Sequence, residues 1–471
     1  MKKTFLFIFT IFTLLVNGQI THREQIKIDS LFNKFNSNNT PGASLGIIKD
    51  GKFIYKRSYG MADLEHAVAI TDSTVFYIGS VSKQFTAMCI LLLEEQGKLK
   101  LSDPVQKYLP DFPDYDTPLT IGNFMNHTSG VRDNLTLWAL AGKDYLDHID
   151  KEEMYQLIRR QKELNYTPGD QFMYSNACYF MLGLIIEKIT GESLHEFAQK
   201  SIFAPLGMHH TFFQDDNTNI IKNRAFSYFE ENGKFKNQLM RYDLVGSGGI
   251  YSTVNDLYLW DQTFYQNKLG KGTMLLIEKL HHESPLNNGK LSGVGYANGV
   301  QNGVYRGLKT VRHGGALAGY HSYLYRFPEE HFSIVILGNV NSINVDRLPF
   351  EIANIMLEKE LNPLTLSKLN SSSTPIPTEK EIKVDIKNIN EYSGTYYSEE
   401  LNTNYQFMVK GKDLWYSINN RTPTIVYPVS QDTFKTDENI VVNFEKDEKN
   451  KITGFSLNTE NVKHIRFKII N

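Results

Sequence analysis

A serine and a lysine three residues apart are the residues whose types and spacing most directly suggest chemistry. Ser80 and Lys83 form the only Ser-x-x-Lys in the chain and begin a strongly apolar stretch with helical spacing. On a helix such a pair shares one face, with Cβ atoms about 5–6 Å apart. A lysine amine whose pKa is lowered by burial and by other cations can take the proton of a serine hydroxyl and make it a nucleophile. The alternative interpretation is a serine N-cap followed by an exposed lysine.

A second motif offers a proton carrier and an amide. Tyr174 and Asn176 form a Tyr-x-Asn between the Pro168-Gly169 turn and a predicted helix. The phenol could move a proton if nearby lysines lower its pKa, and the amide could hold a substrate amide. A buried tyrosine followed by an N-cap asparagine is the structural alternative.

A third motif opens a predicted strand. His313, Gly314 and Gly315 come just before Ala316. Glycines at a strand edge let a ligand approach the backbone closely. The N–H of Ala316 could then bind a developing oxyanion together with the N–H of a serine in the first turn of a helix. Because side chains alternate along a strand, only one of Arg312 and His313 can face such a site.

The surrounding sequence predicts the elements that hold these motifs. Apolar alternation indicates strands early and late in the region, and helical periodicity indicates helices between them. We therefore expect an α/β (α+β) fold: one antiparallel sheet flanked by helices, plus an all-helical lobe. The predicted strands include Ala43–Lys49, Phe53–Tyr59, His321–Phe327 and Phe332–Leu337, and the predicted helices include Ser80–Gln96, Asn176–Thr190, Leu194–Phe203, Ser252 to about Tyr265, and Arg347–Glu360.

The helical pattern stops near residue 362. A Ser/Thr/Pro segment at 371–377 predicts a linker, for which we take residues 363–380. Beyond it, short strand candidates separated by turn residues predict a small antiparallel barrel or sandwich over residues 381–471.

The first eighteen residues have the pattern of an export signal. Lys2 and Lys3 precede the twelve-residue run Phe5–Val16, which is followed by the small residue Gly18. The run is shorter than the roughly 20 residues that span a membrane, so cleavage is favoured over a retained anchor. We expect a signal peptide over residues 1–18 and a periplasmic or secreted product without a stable membrane anchor.

Composition excludes several other classes. Lys+Arg 50 against Asp+Glu 52 gives a net charge of −2, so we expect no nucleic-acid partner. Two cysteines, Cys89 and Cys178, exclude a disulfide scaffold and a thiolate metal site. Two buried free thiols are favoured over a bridge between them. The oligomeric state stays open.

Taken in this order, Ser-x-x-Lys, Tyr-x-Asn and His-Gly-Gly resemble the signature motifs of the serine β-lactamase and penicillin-binding-protein-like superfamily. The Tyr-x-Asn form, together with His127-Thr128-Ser129-Gly130 and Thr167-Pro168-Gly169, is similar to the class C β-lactamase and D-alanyl-D-alanine carboxypeptidase branch. The resemblance covers about residues 25–360 and implies a serine hydrolase domain, taken as 19–362, that needs no metal or cofactor. Residues 391–396 resemble the lipocalin-like barrels attached to some hydrolases of this superfamily.

The resemblance implies a role for each motif residue. Ser80 would be the acylated nucleophile, Lys83 would assist its deprotonation, and Tyr174 would be the general base and acid. The implied substrate-binding residues are Asn176, His313, Gly314 and Gly315, and the implied oxyanion hole is the pair of backbone N–H groups of Ser80 and Ala316.

His313 departs from the β-lactamase pattern, because it stands where many β-lactamases have a lysine. With an ordinary pKa of about 6.5, a histidine carries only part of a charge at pH 7, which weakens recognition of a substrate carboxylate. We therefore expect a D-amino-acid peptide, such as one derived from peptidoglycan, or a small ester as substrate, ahead of a β-lactam. The alternative is a non-catalytic peptidoglycan sensor or binding module, for which Lys83 and Tyr174 would not both be needed.

Overall fold

The computed structural model describes residues 20–363, 386 and 388–470. The predicted signal peptide and the Ser/Thr/Pro segment at 371–377 lie outside these ranges and stay predictions. Within them, no helix combines the length and the apolar character that crossing a membrane requires.

Six antiparallel strands form the central sheet, in the order β10-β11-β12-β13-β1-β2. The predicted pairing of early with late strands is confirmed, since β1 lies beside β13 with Leu45 opposite Ile336. Smaller sheets join β5, β9 and β6, and pair β3 with β4 and β7 with β8. The strands up to this point are β1 Ala43–Lys49, β2 Lys52–Tyr59, β3 Met61–Asp63, β4 Val68–Ala69, β5 Phe76–Tyr77, β6 Phe212–Phe213, β7 Tyr228–Glu231, β8 Lys234–Asn237, β9 Ile250–Ser252, β10 Gln301–Tyr305, β11 Leu308–Leu317, β12 Tyr320–Phe327 and β13 Phe332–Gly338.

Strand β13 is buried on both faces because helices cover the sheet on both sides. Ile334 and Ile336 pack into a core that includes Ile28 and Ile352, from the first and last helices of the domain. Val335, between them, faces the opposite core, which contains the helical lobe. The two-residue period of the strand thus divides its apolar side chains between two cores.

Buried helices form the predicted lobe. Helix α6 begins and ends where it was predicted, and Gly191 closes it in the left-handed conformation. Four predicted helices differ at their ends: a 3-10 turn at Gly79–Ser82 precedes α2, a π turn follows α7, and α9 and α11 are shorter than expected. The helices are α1 His22–Leu31, α2 Lys83–Glu95, α3 Ile121–Met125, α4 Asn134–Leu140, α5 Lys151–Arg159, α6 Asn176–Thr190, α7 Leu194–Ala198, α8 Ala204–Leu206, α9 Val254–Thr263, α10 Leu275–His281 and α11 Leu348–Met356.

The C-terminal strands close into an eight-stranded antiparallel barrel, which confirms the barrel form of the prediction. The first and last strands pair through Tyr396 and Ile469. Aromatic rings fill the interior, with Phe455 and Phe467 stacked at 4.3 Å and Tyr396 edge-on to Phe455 at 5.2 Å. The strands are β14 Gly394–Ser398, β15 Thr403–Lys410, β16 Asp413–Ile418, β17 Thr424–Ser430, β18 Thr433–Lys435, β19 Val441–Lys446, β20 Ile452–Asn458 and β21 Ile465–Ile469.

The barrel packs against the helical lobe near α4. The Tyr405 hydroxyl donates to the Leu140 carbonyl at 2.9 Å, and the Thr403 hydroxyl lies 3.3 Å from the Ala141 carbonyl. These contacts place one end of the barrel beside the C-terminal end of α4.

Both cysteines are free and buried, as predicted. The Cys178 sulfur lies 3.2 Å from the Ser129 hydroxyl, and burial raises the pKa of both thiols. A raised pKa keeps a thiol protonated and unreactive.

Candidate active site

The three sequence motifs meet where the sheet contacts the helical lobe. Ser80 lies in the 3-10 turn before α2, and Lys83 is the first residue of that helix. Asn176 is the first residue of α6, and Tyr174 lies two residues before it. The edge of β11 that carries His313 contacts the Ser80 turn.

Lys83 is fully buried and is surrounded by oxygen atoms. Its Nζ lies 3.0 Å from Ser80 Oγ, 2.8 Å from Asn176 Oδ1 and 2.6 Å from the Ser247 carbonyl. The amide and carbonyl oxygens can only accept hydrogen bonds. A neutral Lys83 therefore gives its two N–H groups to these oxygens and directs its lone pair toward the Ser80 hydroxyl.

Burial makes the neutral form accessible. Loss of hydration lowers the pKa of Lys83 from 10.5 to about 7, and the negative charge of Asp133 opposes part of this shift. Lys83 thus titrates near neutrality, in the range in which a general base works best. The interpretation of Lys83 as an exposed residue after an N-cap is wrong.

Asp133 is a residue of the site that the sequence did not single out. Its Oδ1 accepts hydrogen bonds from the Asn176 backbone N–H at 2.6 Å and from Asn176 Nδ2 at 2.9 Å. A carboxylate only accepts, so the Asn176 amide must turn its nitrogen to Asp133 and its oxygen to Lys83. The side chain of Asp133 also caps α4, and that capping role was the only signal in the sequence.

The predicted lowering of the Tyr174 pKa is not found. Lys83 Nζ lies 4.8 Å from the centroid of the Tyr174 ring, yet burial raises the pKa of the phenol well above 10, and the nearby Ser80 hydroxyl offsets only part of the rise. This raised pKa keeps the phenol protonated at neutral pH in the free protein.

His313 faces the site as a neutral ring. Its Nδ1 lies 2.6 Å from the Gly314 carbonyl, which only accepts, so Nδ1 carries the hydrogen and Nε2 accepts from the Tyr296 hydroxyl at 3.1 Å. Burial, reinforced by the charge of Lys83, lowers the pKa of His313 from 6.5 to about 3. Arg312 points to the other face of β11, over the Phe350 ring of α11, as strand alternation predicts.

Two glycines allow the Ser80 turn and β11 to meet. Gly79 adopts φ +51°, and a Cβ atom on it would lie 2.7 Å from the Ala316 nitrogen. A Cβ atom on Gly315 would lie 2.1 Å from the Ile78 carbonyl oxygen and 2.7 Å from the Ser80 nitrogen. The backbone nitrogens of Ser80 and Ala316, the predicted oxyanion donors, therefore come from two segments in direct contact.

An aromatic wall closes one side of the site. The His127 ring lies 4.4 Å from that of Tyr174 and 4.7 Å from that of Tyr296. A cavity of about 20 Å³ adjoins Ser80, and its lining residues are Tyr77, Gly79, Ser80, Leu135, Asn176, Tyr242, Ser247, Gly248, Ala316 and Leu317.

One group of three side chains that could ligate a metal occurs in the part of the chain that the structure describes, at Asp63, Glu65 and His66. The His66 Nδ1 already pairs with Asp63 at 2.6 Å, and none of the motif residues belongs to this group.

An antiparallel sheet beside a helical lobe, with Ser-x-x-Lys at the start of a buried helix, defines a protein of the β-lactamase/transpeptidase-like class. The comparison with known families agrees, since the family described as Beta-lactamase matches residues 28–350. This chain belongs to that family.

Individual relatives match different shares of the chain. Penicillin-binding protein 4* of Bacillus subtilis (strain 168) is 30% identical over 334 residues, 67% of this chain and 71% of that protein. The octameric penicillin-binding protein homologue from Pyrococcus abyssi covers 94% of this chain and 99% of its own, with a TM-score of 0.62 and 23% identity. The match to the D-amino acid amidase from Ochrobactrum anthropi SV3, solved with D-phenylalanine, covers 72% of this chain and 99% of the amidase, with a TM-score of 0.60 and 20% identity.

Proposed function

We propose that this protein is a serine hydrolase that acts through an acyl-Ser80 intermediate on amides or esters without a charged carboxylate near the scissile bond. The observation that carries the proposal is the environment of Lys83, whose buried amine lies 3.0 Å from Ser80 Oγ and has a pKa lowered to about 7. A base with a pKa near 7 that contacts a serine hydroxyl can activate this hydroxyl as a nucleophile at neutral pH.

In the acylation step, Ser80 Oγ attacks the substrate carbonyl while its proton passes to the neutral amine of Lys83. The backbone N–H groups of Ser80 and Ala316 stabilise the oxyanion. The protonated phenol of Tyr174 gives its proton to the leaving amine or alcohol as the carbonyl–leaving-group bond breaks, and the Lys83 ammonium restores that proton. The net products are the acyl-enzyme and the protonated leaving group.

Water completes the cycle. Lys83, neutral again, takes a proton from water as the water oxygen attacks the acyl carbon, with Tyr174 as the relay. The ester bond to Ser80 Oγ breaks, the serine regains its proton, and the carboxylic acid leaves.

The neutral state of His313 determines the substrate class that we propose. A ring with a pKa near 3 carries no charge at pH 7 and gives a substrate carboxylate no ionic partner. D-amino-acid amides, capped peptides from peptidoglycan and small esters should therefore react better than β-lactams or peptides that end in a free D-alanine carboxylate. Similarity to a D-amino acid amidase supports this choice.

The decisive experiment combines active-site labelling with matched substrates. Mass spectrometry should find a fluorophosphonate adduct on Ser80 in the natural protein and none in Ser80→Ala. Acetyl-D-Ala-D-Ala amide should be cleaved faster than acetyl-D-Ala-D-Ala, which differs only in its terminal charge. If the natural protein forms no adduct, the hydrolase proposal is rejected and the alternative of a non-catalytic sensor remains. If the free acid is cleaved faster than the amide, the proposed substrate class is rejected.

We also propose that the protein is exported. The proposal rests on Lys2, Lys3 and the apolar run Phe5–Val16. N-terminal sequencing of protein recovered outside the cytoplasm should begin after residue 18, and a full-length protein in the cytoplasm would contradict it.

A further inference from the structure

We propose that Asp133 is a positioning residue of the active site and that the C-terminal barrel holds it in place through Asn461 and Glu400. The inference rests on the proposed roles of Ser80 and Lys83, and it makes the barrel a structural part of the catalytic apparatus.

The Asp133 carboxylate is fixed by four hydrogen bonds. Oδ1 accepts the two from Asn176, and Oδ2 accepts from the Thr136 backbone N–H at 2.9 Å and from its hydroxyl at 3.0 Å. The side chain thus ties the start of α4 to the start of α6. Any movement of Asp133 changes the position of Asn176.

Asn176 passes this constraint to Lys83. Its oxygen accepts from Lys83 Nζ at 2.8 Å only while its nitrogen is held by Asp133. If the amide turned over, two donors would face each other and Lys83 would lose one of its two acceptors. The lone pair of the amine would then no longer be directed at Ser80.

The barrel contacts the backbone of Asp133 directly. The Asn461 carbonyl, in the loop between β20 and β21, accepts from the Asp133 N–H at 3.3 Å and from Asn165 Nδ2 at 3.0 Å. Asn165 Oδ1 accepts from the Lys463 N–H at 2.8 Å, so the loop is held at two points. The Asn165 backbone N–H in turn donates to the Gly130 carbonyl at 2.7 Å.

The residue before Asp133 is held by a buried ion pair with the barrel. Arg132 and Glu400 bond at 2.5 Å, and their side chains are 0% and 6% exposed. The Arg132 guanidinium also donates to Gln161 Oε1 at 3.0 Å and to the His464 carbonyl at 3.2 Å. These contacts tie the residue before Asp133 to the barrel, and removing one partner of the pair would leave an uncompensated buried charge.

Neighbouring glutamates give a matched test of the barrel contact. Glu399 pairs with Lys162 at the surface, where it is 60% exposed, whereas Glu400 is buried against Arg132. In the full chain, Glu400→Gln should slow fluorophosphonate labelling of Ser80 by about 10- to 100-fold, since small displacements of catalytic groups cost that much. Glu399→Gln should label at the natural rate.

Asn165→Ala is the second barrel variant, because it releases the loop without removing a buried charge, and it should also slow labelling. Circular dichroism checks that each variant is folded. Labelling at the natural rate by folded Glu400→Gln or by Asn165→Ala would overturn the role of the barrel.

The pH profile separates positioning from simple support of the fold. The carboxylate of Asp133 raises the pKa of Lys83 against the effect of burial. Asp133→Asn should therefore move the midpoint of the labelling-rate profile to lower pH and lower its plateau, and Asp133→Glu should keep the midpoint. An unmoved midpoint in Asp133→Asn would overturn the positioning role. Failure of the natural protein to label at all would instead reject the proposed function.

Discussion

Lys83 Nζ lies 3.0 Å from Ser80 Oγ, and both side chains come from the single turn at which α2 begins. Because the two residues are three apart in the chain, local backbone geometry fixes their separation. The surrounding fold adds what the turn cannot supply: burial of the amine, and two oxygens from distant segments that orient it.

Replacing Lys83 should remove the base without removing the nucleophile. Lys83→Met should fold and bind substrate but should slow acylation by about 10²–10⁴-fold, the usual contribution of a general base. Single-turnover labelling of Ser80 measures the effect. Lys200→Arg, at a lysine that is 71% exposed, is the control and should behave as the natural protein. Equal labelling of Lys83→Met would show that another group deprotonates Ser80.

Acylation should rise with pH through neutrality. Lys83 has a pKa of about 7 and acts only when neutral, so the rate should fall about tenfold for each pH unit below that value. Fluorophosphonate labelling between pH 5 and 9 tests this dependence. Because fluoride leaves without a proton, the labelling rate does not depend on proton donation by Tyr174. A rate that does not change with pH, or that falls as pH rises, would contradict the assignment of Lys83 as the base.

His313→Lys should change the choice of substrate. A lysine there would supply the positive charge that the neutral histidine lacks, so kcat/KM for acetyl-D-Ala-D-Ala relative to its amide should rise about tenfold, the size of one charge-assisted hydrogen bond. His313→Gln keeps the position neutral and should leave the ratio unchanged. A ratio that rises equally in both variants would trace the effect to lost packing rather than to charge.

Gly315→Ala should separate β11 from the Ser80 turn. The new methyl group would lie 2.1 Å from the Ile78 carbonyl oxygen, so one of the two segments must move and the oxyanion donors must part. Loss of such a donor costs about 10²–10³-fold in kcat.

The matched control is Gly183→Ala. A methyl group there meets its nearest atoms at 3.4 Å, in ordinary contact, and alanine suits the helix. Steady-state kinetics should find normal activity in Gly183→Ala, and normal activity in Gly315→Ala would contradict the proposed oxyanion hole.

Local features of the site could be predicted from the sequence. The Ser80–Lys83 spacing needs only one helical turn, and α6 runs from Asn176 to the Gly191 stop because capping and apolar periodicity agree there. Most strand pairs of the barrel follow the same logic, since they join neighbours in the chain. The pairing of β14 with β21, which decides between the barrel and the sandwich that the sequence left open, is long-range.

Features that depend on packing could not be predicted. Asp133 reaches Asn176 across 43 positions of the chain, and no spacing rule joins them. The pKa of Tyr174 is raised rather than lowered, because burial outweighs the hydrogen bond with Ser80. The contact of Glu400 with Arg132 likewise depends on how the barrel lies against the lobe.

The interior of the barrel has one more consequence. Eight strands enclose either side chains or a single small guest molecule. Here Tyr396, Phe407, Phe444, Phe455 and Phe467 occupy that volume, with neighbouring rings 4.3–5.8 Å apart. These rings stand where a guest molecule would lie, and loops of the barrel, at Glu400 and Asn461, make its contacts with Arg132 and Asp133.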